Sequence, residues 1–213
     1  MSEHDDIVFI VDDDERIREA LSELLASHGM RAIAFKSAGD YIAAEKPGLP
    51  ACLVLDVQLP DINGLDLQRQ IAVGTHPPIV FLTGHGDIPS SVRAIKHGAV
   101  DFLTKPVNDA DLMRAVRAAI ELDKQERDER AELDVLRRRY LDLTPRERDV
   151  LPLVVSGLLN KQAAAELGIS EVTLQVHRRN VMQKMEAASL ADLVRIAERL
   201  GIEVTHSRRT GGH

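Results

Sequence analysis

The chain has 213 residues and a formal net charge of −7, room for one large domain or two modest ones, each able to bury a core. Aromatic residues make up 3% and tryptophan is absent, which argues against a platform that stacks nucleic-acid bases. A lone cysteine, Cys52, excludes an internal disulfide, and the acidic start MSEHDD leads into an apolar run (7–11) too short for a secretory signal or membrane span. A soluble cytoplasmic protein is expected.

Charge is unevenly spread. Residues 1–120 carry 18 acids and 11 bases, residues 121–142 carry 8 and 6, and residues 143–213 carry 8 and 10. An acidic first part joined to a mildly basic last part suggests two domains with different partners. Up to about residue 120, strand-like runs alternate with amphipathic ones. The strand candidates are 7–11 (IVFIV), 31–35 (RAIAF), 52–56 (CLVLD), 78–82 (PIVFL) and 100–104 (VDFLT). Between them lie 15–28, with Ile17, Leu21, Leu24 and Leu25 on one stripe, then 38–45, 65–72 and 89–97. A last helix starts near Asn108, which with Asp111 resembles an N-cap arrangement. Repeated β-α units of this length predict an α/β fold, a five-stranded doubly wound parallel sheet. Residues 121–139 are mostly charged and lack glycine and proline, so they read as a solvated helix. Leu122, Leu133, Leu136 and Tyr140 keep roughly heptad spacing, but a charged block breaks the seam and leaves coiled-coil pairing open. From Leu143 onward only helical periodicity is visible, until a tail, THSRRTGGH, expected to lack fixed structure.

Carboxylates gather where the strands end. The first strand runs into VDDDER, placing Asp12, Asp13 and Asp14 there, and the third ends on Asp56 before Pro60, Asn63 and Gly64 mark a loop. In a doubly wound sheet the ends of strands one and three are neighbours, at the edge where such sheets hold ligands. Clustered carboxylates repel one another, and a hard divalent cation such as Mg²⁺ resolves that conflict. The fourth strand ends in FLTGHGD, giving Thr83, and the fifth in DFLTKPV, giving Lys105. A carboxylate nucleophile, a cation site and two donors are the equipment to accept a phosphoryl group, with Asp56 as the acceptor.

The stretches IVFIVDDDERIREAL, LVLDVQLPDINGLDL, FLTGHGD and DFLTKPV resemble the receiver domain of two-component response regulators over roughly residues 5–122, and TGHGD is typical of the FixJ subgroup. That resemblance implies phosphorylation at Asp56, Asp13 and Asp56 as direct Mg²⁺ ligands, Asp12 as a ligand through water, and the backbone carbonyl of Gln58 as a further ligand. It implies Thr83 and Lys105 on the phosphoryl oxygens, Phe102 as an aromatic switch that turns inward, and a cis peptide at Lys105–Pro106. It also implies dimerisation through the fourth helix and fifth strand.

In the last part, Thr144, Pro145 and Glu147 form a capping box with proline at the first helical position, and Gly157 ends that helix. Residues 160–167 form a second helix, Gly168 a turn, and Ser170 caps a third helix running to about Met185. Helix, short glycine-containing turn, helix is the helix-turn-helix arrangement. Leu174, His177, Val181 and Met185 form the core stripe of the third helix. Its opposite face shows Val172, Gln175, Val176, Arg179 and Gln183, with Arg178 and Lys184 alongside. Gln175, Val176 and Arg179 suit base edges, while Arg178 and Lys184 suit phosphates. The same pattern also suits an ordinary helical bundle with a solvated polar face. Residues 143–201 are similar to the LuxR-type DNA-binding domain of the NarL/FixJ family, with two departures. Pro152 falls inside the first helix, where it removes a hydrogen bond, and Ala163 stands where a larger aliphatic residue is usual.

The organisation expected is a receiver domain (1–122), a charged helical linker (123–142), an all-α helix-turn-helix DNA-binding domain (143–201) and a tail (202–213). The function this implies is a transcriptional response regulator rather than an enzyme. Its partners would be a sensor histidine kinase, double-stranded promoter DNA, a second copy of the chain once phosphorylated, and RNA polymerase, with no membrane involved. An aspartyl-phosphate phosphohydrolase would carry its nucleophile on the first strand as DxD, whereas here it follows the third. The helix-turn-helix spacing argues against an RNA-binding or sequestering module.

Overall fold

Every residue of β1 (Ile7–Val11), β3 (Ala51–Asp56) and β4 (Ile79–Thr83) is buried, as unbroken apolar runs demand in a parallel sheet covered on both faces. β2 (Arg31–Phe35) and β5 (Asp101–Thr104) are only partly buried because they form the edges. The structure, a computed structural model, describes residues 6–72, 76–84 and 88–203, with residues 88–91 described by their backbone only. It divides into two units, Met1–Arg127 and Asp128–His213.

In the first unit the strand order is β2-β1-β3-β4-β5, with every pair parallel. Alternate side chains point to opposite faces and build two cores. Phe9, Leu53 and Phe81 pack with Tyr41, Leu67 and Ala94 from α2 (Ala38–Ala43), α3 (Gly64–Ile71) and α4 (Ile88–Lys96). Val8, Ile10, Cys52, Val54 and Val80 pack on the other face with Leu21 and Leu25 from α1 (Glu15–Ser27) and with Leu112 and Val116 from α5 (Asp109–Leu141). Burying each such Leu, Ile or Phe contributes about 1.5–3 kcal/mol. Local chemistry starts the helices: Asp14, Ser37 and Asn63 accept backbone N–H groups at α1, α2 and α3, and Asn108 accepts Ala110 N–H at α5. α2 stops short of the expected residue 45, where Ala44 turns extended (ψ 137°), and Lys46 caps that end by donating to the carbonyls of Tyr41 and Ala44.

The segment expected to be a solvated linker is continuous with the last helix of the first unit, since nothing between residues 109 and 141 breaks α5. Its first turns are not all solvated. Asp123 is fully buried, accepting Ala51 N–H at the head of β3 (2.8 Å) and pairing with Arg127 (2.6 Å). Of the heptad-spaced residues, Leu122 is exposed, while Leu136 and Tyr140 pack into the core of the second unit.

That second core joins the end of α5 to α6 (Pro145–Val155), α7 (Asn160–Leu167), α8 (Glu171–Lys184) and α9 (Leu190–Arg199). The capping box at Thr144 and Glu147 is formed, and Ser170 caps α8 as expected. Gly168 has φ +65°, the left-handed conformation that lets the chain turn from α7 into α8. α6 runs on through Pro152, whose carbonyl accepts both Ser156 N–H (3.0 Å) and Ser156 Oγ–H (2.6 Å). Ala163 is completely buried. α9 was legible in the sequence only as general helical periodicity. It is capped by Ser189 and buries Leu193, Ile196 and Ala197. Most of the expected tail, residues 204–213, lies outside the described residues.

Candidate functional site

The register of β1 against β3 pairs Val11 with Leu55, so the next residues, Asp12 and Asp56, emerge side by side at the C-terminal edge. Both are buried, whereas Asp13 is exposed, and oxygens of the three carboxylates lie within 4.8 Å of one another. Lys105, arriving from the end of β5, places Nζ 2.6 Å from Asp12 Oδ2 and 2.6 Å from Asp56 Oδ2. The remaining oxygens accept backbone donors: Asp12 Oδ1 takes Asp14 N–H and Asp56 Oδ1 takes Gln58 N–H, each at 2.9 Å. Arg18 Nη1 donates to the Asp12 carbonyl at 2.8 Å, fixing the start of the loop.

Electrostatics follow from that packing. Burial pushes the Asp12 carboxyl above its ordinary range, and its bonds from Lys105 and Asp14 offset only part of the rise. Burial would lower the Lys105 ammonium, but its bonds to Asp12 and Asp56 outweigh that and hold it above the usual lysine value. A hard divalent cation fits this set, because every donor is an oxygen and the exposed Asp13 leaves one side open to solvent.

Thr83 is buried at the end of β4, and its carbonyl accepts Lys105 N–H at 2.7 Å, which ties the two strand ends together. Phe102 is half-buried on β5, its ring centroid 6.0 Å from that of Phe81. The Lys105–Pro106 peptide is cis. Asp12, Asp13, Asp56 and Lys105 thus form one cluster, with Thr83 joined to it through the backbone. His85, Gly86 and Asp87 of the TGHGD motif lie outside the described residues.

Two supporting roles go beyond the sequence reading, which has Gly64 only as a loop residue and does not single out Gln68. Gly64 N–H donates to Val57 O (2.9 Å), drawing α3 against the end of β3 so closely that a Cβ there would lie 2.3 Å from the Asp56 carbonyl oxygen. Gln68 is buried and donates to the carbonyls of Ala94 (3.2 Å) and His97 (3.1 Å), pinning the end of α4 to α3. The PxxNG spacing carries a hint of the first; a glutamine on an amphipathic helix carries none of the second.

In the second unit, α8 buries Leu174, Val181 and Met185 with His177 half-buried, and exposes Val172, Gln175, Val176, Arg179 and Gln183. Arg178 donates to Asn160 Oδ1 at 2.9 Å, linking α8 to α7. Lys184 is held inward as well as alongside, 2.7 Å from the buried Glu147 carboxylate and 3.3 Å from the Asp142 carbonyl. Its expected phosphate contact therefore comes with a structural role that the sequence did not reveal. Burial alone would raise Glu147, yet the bonds from Lys184 and Thr144 pull it down to about 2.

A doubly wound sheet with an acid cluster and lysine at its carboxyl edge, followed by a capped helix-turn-helix, defines a receiver joined to a DNA-binding output. Residues 8–117 match the response regulator receiver domain, and residues 141–197 match the luxR family of bacterial regulatory proteins. The chain belongs to the two-component response regulators with a LuxR-type DNA-binding domain. It is 48% identical over 205 residues to nodulation protein W of Bradyrhizobium diazoefficiens, covering 96% of this chain and 90% of that one. It is 45% identical over 200 residues to the transcriptional regulatory protein FixJ of Azorhizobium caulinodans, covering 92% and 93%. Among solved structures, the response regulator StyR superposes with a TM-score of 0.79 at 44% identity, over 92% of this chain and 99% of that one. A receiver implies a histidine kinase partner, and a LuxR-type domain implies DNA. No helix among the described residues is long and apolar enough to cross a membrane.

Proposed function

We propose that this regulator accepts a phosphoryl group from a sensor histidine kinase on Asp56, and that the modified chain dimerises and binds promoter DNA. The carrying observation is the Asp56 carboxylate, held by Lys105 and Gln58 N–H beside Asp12 and Asp13. An Asp56 oxygen attacks the phosphorus of the kinase phosphohistidine, the P–N bond breaks, and the imidazole leaves with its electron pair. Asp13 and Asp56, the Gln58 backbone carbonyl and, through water, Asp12 would hold Mg²⁺, which supplies positive charge at the phosphoryl oxygens. Lys105 passes from the Asp56 carboxylate to a phosphoryl oxygen, the Thr83 hydroxyl donates to another, and Phe102 turns inward as the fourth-strand loop closes.

Exposed Val92 and Ile95 on α4 support dimerisation through α4 and β5. In the dimer each α8 enters a major groove, with Gln175, Val176 and Arg179 on base edges and Arg178 and Lys184 towards phosphates. The protein works in the cytoplasm and delivers its signal to RNA polymerase at the promoter, as a regulator rather than an enzyme.

Mg²⁺-dependent labelling by acetyl phosphate tests the acceptor. Asp56→Asn should abolish it, and retained labelling at another aspartate would sink the assignment. For DNA, Gln175→Ala and Arg179→Ala should flatten discrimination among promoter variants by about 1–3 kcal/mol each, with phosphorylation unchanged. Equal weakening of every sequence would show that the reading face lies elsewhere.

A further inference from the structure

On α8, Val172 is 71% and Val176 54% exposed, and among the described residues they are the large apolar side chains that this helix leaves in solvent. Leu174, Val181 and Met185 already supply its core stripe, so packing within the unit does not account for the two valines. Valine is an unfavourable choice at an exposed helical position, because its branched side chain loses rotamer freedom there. The same stiffness makes it a pre-ordered apolar probe that loses little entropy on contact.

The two valines lie one turn apart, about 6 Å along the axis, on the strip that also exposes Gln175 and Arg179. Val172 sits in the first turn, beside the exposed carboxylate-bearing residue Glu171 and the Ser170 cap. A backbone phosphate offers Val172 no apolar surface, so a base edge is the partner its side chain suits. In the major groove the apolar group available to a side chain is the thymine C5-methyl. We infer that Val172 and Val176 form a two-valine strip that recognises thymine methyl groups one or two base steps apart. Val172 is then a specificity-determining residue beside the hydrogen-bonding Gln175 and Arg179. The inference rests on the DNA reading proposed for α8 and adds a base identity to it.

Duplexes selected from a random pool by the full-length protein, with Mg²⁺ and acetyl phosphate, supply the site. Each thymine is then replaced singly by deoxyuridine, which removes only the methyl group. At two positions in each half-site, one set for each α8 of the dimer, the wild-type Kd should rise about fourfold, the effect of one buried methyl-sized group. Val172→Ala should lose the sensitivity at one of them and keep the other. The variant should melt with the wild type, since the site is exposed and alanine is the better helix former. If the selected site holds no thymine, if every deoxyuridine duplex binds like its parent, or if Val172→Ala retains both sensitivities, the inference is overturned while DNA reading by α8 stands. If the protein selects no duplex at all, the DNA reading fails and the inference fails with it.

Discussion

Replacing Gly64 by alanine should damage the phosphoacceptor site, although Gly64 has no chemistry of its own. The added Cβ would lie 2.3 Å from the Asp56 carbonyl oxygen and 3.0 Å from Val57 Cα. Against a closest ordinary contact of 3.0 Å, that is a shortfall of about 0.7 Å, and both neighbours are main chain that cannot rotate away. If the end of β3 yields, Asp56 moves relative to Lys105, now 2.6 Å away. If α3 yields, the 2.9 Å bond from Gly64 N–H to Val57 O and the Asn63 cap suffer. Overpacking of this kind costs about 1–3 kcal/mol, and displacing a nucleophile by most of an ångström slows its reaction about 10- to 100-fold. Calorimetry of the full chain should show the transition of the first unit lowered by about 4 °C per kcal/mol, and acetyl phosphate labelling should slow in step. Gly48→Ala is the control: a Cβ there meets nothing within 4 Å, so the variant should match the wild type or exceed it slightly. A Gly64→Ala protein that melts and labels like the wild type would refute the close approach as the reason for glycine.

Lys105→Ala removes the cation between Asp12 and Asp56 and should lower stability in chelator by about 2–3 kcal/mol. That is less than the ~3–5 of a fully buried pair, because the lysine side chain is 18% exposed. Mg²⁺ should raise its melting temperature more than that of the wild type, and sedimentation after acetyl phosphate treatment should show weaker dimerisation. In the second unit, Glu147 is depressed from 4.5 to about 2, so its contribution is present above pH 4.5 and lost as pH falls through 2. Melting of that unit should therefore decline across this window. Glu147→Gln should flatten the decline, and an unchanged slope would show that the Lys184 pairing does not stabilise the unit.

Much of this protein was determined by the sequence alone, because the signals are local. Unbroken apolar runs covered on both faces, turn residues and capping side chains are decided within a few residues, which is why the strands, Thr144–Glu147 and the Ser170 cap stand where the pattern puts them. The acid cluster was legible too, since a doubly wound sheet makes neighbours of the ends of strands one and three whatever the side chains. What only the tertiary structure decided are contacts between segments far apart in the chain. Asp123 looks like one more charge on a solvated helix until Ala51, distant in sequence, presents its N–H. Lys184 looks like a free surface cation until α6 brings Glu147 within 2.7 Å. Gln68 and Gly64 owe their roles to how closely α4 and β3 approach α3, a distance set by the packing of whole elements. Periodicity assigns a residue to a face of its own element; the partner that gives it a task is fixed only when the elements close on one another.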